Sequence, residues 1–108
     1  NFSLYRPADS YQLAPAYDLV NVSIANPNDK EELALTLSGR KNKLKLANFL
    51  QAAATMGLEE KVVLRLIASM NKAFPKWKSL IHSSFLSEDM KKAYADTIVK
   101  RLERLQEQ

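Results

Sequence analysis

The chain has 108 residues, 46% of them hydrophobic, with 16 Lys/Arg against 12 Asp/Glu and no cysteine. A chain of this length buries roughly two thirds of its unfolded surface, so one core is the most it builds. The missing cysteine excludes disulfides and thiolate metal sites and fits a reducing, cytoplasmic setting, and no run nears the ~18 apolar residues that span a bilayer. The charge is uneven: residues 1–29 carry one basic against three acidic residues, whereas residues 30–108 carry 15 against nine. That imbalance permits an anionic partner for the second part, although a solvated basic surface is the plainer reading. No signal-peptide pattern opens the chain, which begins on Asn1 inside a strand-like pattern and reads as a processed or partial polypeptide.

Phe2-Ser3-Leu4-Tyr5 alternates in the period-2 manner of a half-buried strand. Arg6–Ser10 is turn chemistry, with Pro7 fixing φ and Asp9 able to bond the backbone two residues on. Tyr11-Gln12-Leu13 reads as the returning strand, ended by Pro15, which offers no ladder donor. Residues 16–28 are expected to be irregular, with one helical turn near Leu19–Ser23. The alternation of Glu32–Leu37, closed by Ser38-Gly39, predicts a third short strand, and Arg40–Lys45 follows as a basic turn.

Helix signals dominate from there. Leu46, Phe49, Leu50 and Ala53 share a face, and Gly57 is placed as a C-terminal stop. Val62, Val63, Leu66, Ile67 and Met70 stripe the next helix, with Glu59 and Glu60 in a first turn where the dipole favours them. Pro75 predicts the start of a new helix over 75–84. The last helix is capped by Ser87 and carries Met90, Ala93, Tyr94, Thr97, Ile98, Leu102 and Leu105 at helical spacing. The fold class expected is α+β, mostly α: a short N-terminal hairpin and a third strand ahead of a helical bundle.

Much chemistry is excluded by residue type. With only Gly39 and Gly57 there is no phosphate-cradling loop or dinucleotide fingerprint. The single histidine, His82, cannot hold zinc without cysteine or a second histidine, and nothing marks Ser83 or Ser84 as a nucleophile it would activate. Trp77 could stack on a base, but an anchor docking its helix on the core is the better reading. Arg40, Lys41, Lys43 and Lys45 are dense enough to contact phosphates, or simply to solubilise a turn. Asn1 and Asp18 can be brought to one edge of the hairpin, where an amide and a carboxylate suit a hard cation; an Asx-turn at Asp18 explains its pattern equally well.

NFSLY followed by YQLAPAYDLVN resembles the catalytic segment of the HipA-type serine/threonine kinases, the toxin halves of bacterial toxin–antitoxin pairs. In that family an Asp-x-His-x-Lys-Asn loop runs into a short hairpin, and an L-A-P-x-Y-D segment supplies the counterpart of the DFG aspartate. The resemblance implies that Asn1 and Asp18 hold Mg²⁺ bridging the ATP phosphates. ELALTLSGRKNKL and FLSEDMKKAYADTIVKRLERL also look like the family's C-terminal part, so the resemblance spans essentially all 108 residues. It implies a single C-terminal kinase-lobe piece, 1–45 carrying the hairpin, metal loop and short strand and 46–108 the helices.

The catalytic Asp expected a few residues ahead of Asn1 is not in the chain, nor is the phosphate-contacting N-terminal lobe with its lysine. A chain with two metal ligands but without those parts is not expected to turn over, because phosphoryl transfer rests on positioning and electrostatic stabilisation. Two readings follow. In the first, the chain is the C-terminal part of a kinase that phosphorylates protein hydroxyls, an aminoacyl-tRNA synthetase being one implied substrate and a helix-turn-helix protein the implied antitoxin. In the second, it is a non-catalytic interaction module whose Arg40, Lys41, Lys43 and Lys45 touch nucleic acid or an antitoxin–operator complex. Uncovered apolar surface would also favour self-association.

Overall fold

The computed structural model describes residues 1–107. Two strands, β1 (Leu4–Tyr5) and β2 (Gln12–Leu13), pair antiparallel with Leu4 opposite Leu13 and Tyr5 opposite Gln12. The Ala14 N–H extends the ladder to the Ser3 carbonyl at 2.8 Å. At the turn, the Arg6 guanidinium lies 5.7 Å from the Tyr11 ring centroid and 3.7 Å from the Asp9 carboxylate. The expected half-burial of these strands does not occur: Phe2, Leu4, Tyr11 and Leu13 are each about two-thirds exposed or more. A two-stranded ribbon of this length has no second layer to cover either face.

Four helices follow: α1 (Val22–Ala25), α2 (Leu46–Thr55), α3 (Glu60–His82) and α4 (Glu88–Arg104). The architecture is therefore α+β and mostly α, as expected. The third strand is not formed. Glu32–Leu37 is irregular, and the only strand-like pairing in that region joins Leu37 to Arg40 across Ser38 and Gly39. Both turn residues have left-handed φ, 49° and 73°, as in the tight turns that favour a hairpin, but pairing stops at that bridge: the Glu32 and Leu33 N–H groups both go to the Lys41 carbonyl, so no ladder forms along the alternating run.

Local signals explain the helix ends. Gly57, at φ 72°, follows α2 in a Schellman arrangement: the Leu58 N–H reaches the Ala53 carbonyl and the Gly57 N–H reaches that of Ala54. At the other end, Asn48 Oδ1 accepts the Lys45 N–H at 3.0 Å. Ser87 caps α4 by accepting the Met90 N–H, with Glu88 and Asp89 in the first turn and Arg101 and Arg104 in the last.

Pro75 does not start a helix; it lies inside α3, which runs unbroken for 23 residues. Its ring removes one backbone donor and crowds the preceding turn. The helix continues because Phe74 and Trp77 beside it are half-buried and Ile81 beyond it is buried, so packing outweighs the local penalty. Pro75→Ala restores the missing donor and is expected to raise stability by about 1–3 kcal/mol in thermal unfolding. A lowered melting temperature would mean that the Pro75 ring itself contributes to packing.

The core is small: Leu44, Ala53, Val63, Ile81 and Leu102 are its buried apolar residues. It draws on the loop before α2 and on α2, α3 and α4, while α1 packs on α4. The radius of gyration, 15.9 Å, exceeds the about 13 Å of a compact domain of this length. Correspondingly, Leu66 and Met70 of the α3 stripe remain half exposed. No helix among the described residues is long and apolar enough to cross a membrane.

Candidate metal-binding loop

The residues following β2 bend back across the start of the hairpin. Pro15 stops the ladder, and the segment through Tyr17 has no regular structure. Asp18 adopts φ 50°, a left-handed conformation that Asp tolerates better than most residues. This reversal brings its carbonyl within 2.6 Å of Asn1 Nδ2, which donates to it across 17 residues of chain. Asn1 and Asp18 are therefore brought together. The bond uses the nitrogen of the Asn1 amide and the main chain of Asp18, so Asn1 Oδ1 and the Asp18 carboxylate are not engaged by it.

That donor set, one amide oxygen and one carboxylate, is oxygen-only and suits a hard cation such as Mg²⁺, which keeps waters and takes further ligands from phosphates. It does not suit zinc. Among the described residues no group of three or more His, Cys, Asp or Glu side chains forms a metal cluster. Waters or phosphate oxygens would have to fill the remaining coordination positions at a two-ligand loop.

The other sequence candidates lie elsewhere. Lys41 Nζ bonds both oxygens of Glu31, at 3.0 and 3.1 Å, and Lys45 Nζ pairs with Glu107 at 2.7 Å. Arg40 and Lys43 are exposed and make no ion pair among the described residues. The basic turn is thus half neutralised within the chain itself. His82 is exposed at the end of α3, with no catalytic partner: Ser83 Oγ donates to the Ser79 and Leu80 carbonyls and Ser84 Oγ to that of Ile81. Trp77 lines an apolar cavity of about 520 Å³ with Leu80, Ile81, Tyr94 and Ile98, in keeping with a docking role between α3 and α4.

Periodicity did not reveal the polar link between the N-terminal section and α4. Arg104 pairs directly with Glu32, and Arg101 Nη2 donates to Ser23 Oγ at 3.2 Å. Burial acts to raise the Glu32 carboxyl. The hydrogen bond and charge of Arg104, the charge of Arg101 and the Leu44 N–H together outweigh it and hold the group below its ordinary value. A carboxyl lowered by folding stabilises the native state above its unfolded pKa, and that contribution disappears as pH falls through the folded value. Stability should therefore drop below about pH 4.5, and Glu32→Gln should flatten the fall in a pH series of thermal unfolding. An unchanged slope in that variant would place the acid sensitivity elsewhere.

The fold thus defines a mostly helical α+β domain whose N-terminal hairpin presents an Asn/Asp pair beside an irregular loop. Residues 1–78 match the HipA-like C-terminal domain, and the chain belongs to that family. A search of curated proteins found no match to the chain.

Proposed function

We propose that the chain is the C-terminal part of a HipA-like serine/threonine protein kinase, with Asn1 Oδ1 and the Asp18 carboxylate as its Mg²⁺ ligands. The Asn1–Asp18 hydrogen bond carries this reading, because it joins the two motif ends in one loop and leaves both oxygen donors free. Membership of the family supports it. Bound Mg²⁺ supplies neutralisation of the ATP phosphates during transfer to a protein hydroxyl. The residues of this chain hold the ion and set the loop: Pro15 ends the strand, and the left-handed Asp18 turns the carboxylate-bearing residue back toward Asn1. The catalytic Asp and the nucleotide-binding lobe would belong to sequence outside these 108 residues. The proposal extends to a toxin–antitoxin setting with a helix-turn-helix partner and an aminoacyl-tRNA synthetase among the substrates.

Metal binding is testable without turnover. Titration with Mn²⁺ as a paramagnetic stand-in should broaden the backbone NMR signals around Asn1 and Asp18, and Asp18→Asn should abolish the effect. Equal broadening in that variant would overturn the assignment.

The interaction-module reading retains Arg40 and Lys43 as its exposed cations. With only those two unpaired, any binding to duplex DNA should show a shallow salt dependence, a log–log slope of roughly −2. A much steeper slope would mean that Lys41 and Lys45 leave their carboxylate partners.

A further inference from the structure

We propose that the chain carries a second, unassigned site that binds a phosphate monoester dianion, in a cavity of about 290 Å³ between the 23–32 segment and α4. Ser23 and Lys30 lie on one wall, and Thr97, Lys100, Arg101 and Arg104 on the other. Two carboxylates, Asp29 and Glu32, also line it, against four cations.

Both carboxylates have internal partners. Asp29 Oδ1 accepts the Glu31 N–H at 2.9 Å, and Glu32 takes the Arg104 guanidinium. Lys30 Nζ donates to the Pro27 carbonyl at 2.8 Å, and the Thr97 hydroxyl to that of Ala93 at 2.8 Å. What remains is a surplus of donors. Arg101 is half-buried and has the Ser23 hydroxyl as its one hydrogen-bond partner among the described residues, out of five N–H groups. Lys100 is exposed and unpaired among the described residues. Ser23 Oγ accepts from Arg101, so its own proton is free to donate to a ligand.

Arg101 also borders a second opening of about 220 Å³, lined by Asn21, Ser23, Glu31, Glu32 and Tyr94, whose two carboxylates make it the poorer place for an anion. A planar guanidinium fork, an ammonium and a hydroxyl lining one cavity are the donor types that phosphate oxygens take. The surplus of two positive charges matches a dianion. The cavity holds the volume of roughly ten waters, which leaves room for the ester group as well as the phosphate. The site is separate from the Asn1–Asp18 loop, and three of its four cations lie on α4, beyond the family match over residues 1–78.

The test is an NMR titration of the 108-residue chain with inorganic phosphate and, separately, O-phosphoserine, at constant ionic strength. Saturable shifts are expected at Ser23, Lys100 and Arg101. Arg101→Gln and Lys100→Gln should each weaken binding about tenfold. Because Arg101→Gln could loosen α1 from α4, Lys100→Gln, which removes an exposed side chain, keeps the test decisive. Lys72→Gln, at an exposed α3 residue that does not line the cavity, should leave affinity unchanged. Linear, unsaturable shifts, or unchanged affinity in either cavity variant, would overturn the proposal. O-phosphoserine should bind more tightly than inorganic phosphate; equal or weaker binding would overturn the monoester assignment.

Discussion

Asp18→Asn, in a polypeptide that joins this chain to the rest of a HipA-like kinase, should lower phosphoryl transfer by at least about 10²–10³-fold, the loss typical of one group that stabilises transition-state charge. The substitution keeps the size of the side chain and removes its negative charge, so a bound cation loses its one carboxylate. The fold should survive. Asp18 is exposed, and its link to Asn1 runs through the main-chain carbonyl, which the substitution does not touch. Asn tolerates the left-handed φ of 50° about as well as Asp does. Autophosphorylation measured beside a circular-dichroism melt separates the outcomes. Wild-type transfer rates would sink the Mg²⁺ assignment, and lost transfer with a lost fold would show that Asp18 is structural.

Leu102→Ala should cost about 2–4 kcal/mol, from lost apolar transfer and the cavity left behind. Leu102 is the buried residue of α4 and is 9% exposed, which holds the figure below the largest losses known for fully enclosed leucines. With only five buried apolar residues in the core among the described residues, no neighbouring layer takes over its contacts. Domains of this size are stable by about 5–15 kcal/mol in total, so the loss should lower the urea midpoint by a large fraction. Leu35→Ala, at a residue 82% exposed, should leave the midpoint nearly unchanged. A similar shift in both variants would mean that the buried cluster is not what holds the helices together.

These effects arise in different parts of the chain, and so do the successes of sequence reading. Gly57 and Ser87 were legible as helix ends because capping is local: it needs a left-handed φ or a side-chain acceptor within three residues. The Asn1–Asp18 pair was legible as a candidate because hairpin topology brings its two ends together. Glu32–Leu37 misled, since alternation makes a strand only where another strand pairs along it, and here a single Leu37–Arg40 bridge forms while the Glu32 and Leu33 N–H groups converge on the Lys41 carbonyl. Pro75 misled for the opposite reason. Its local penalty is real, but the packing of Phe74, Trp77 and Ile81 carries α3 through it.

The basic turn shows how far charge counting reaches. Four cations in six residues suggested a phosphate-binding face, yet Glu31 and Glu107 neutralise Lys41 and Lys45. A second group of cations gathers around Arg101, whose hydrogen-bond partner Ser23 and neighbouring charge Glu32 are far from it along the chain.

By itself the sequence determined the mostly helical class, the hairpin, the helix caps and the family, because each depends on neighbours within a few residues or on a short motif. Tertiary structure alone decided that Asn1 and Asp18 meet through an amide-to-carbonyl bond that spares their oxygen donors. It alone decided, too, that two lysines of the basic turn are paired, and that Arg101 stands with a surplus of donors beside Ser23. Those outcomes depend on which distant segments touch, and electrostatic partners become definite only when folding sets the distances between them.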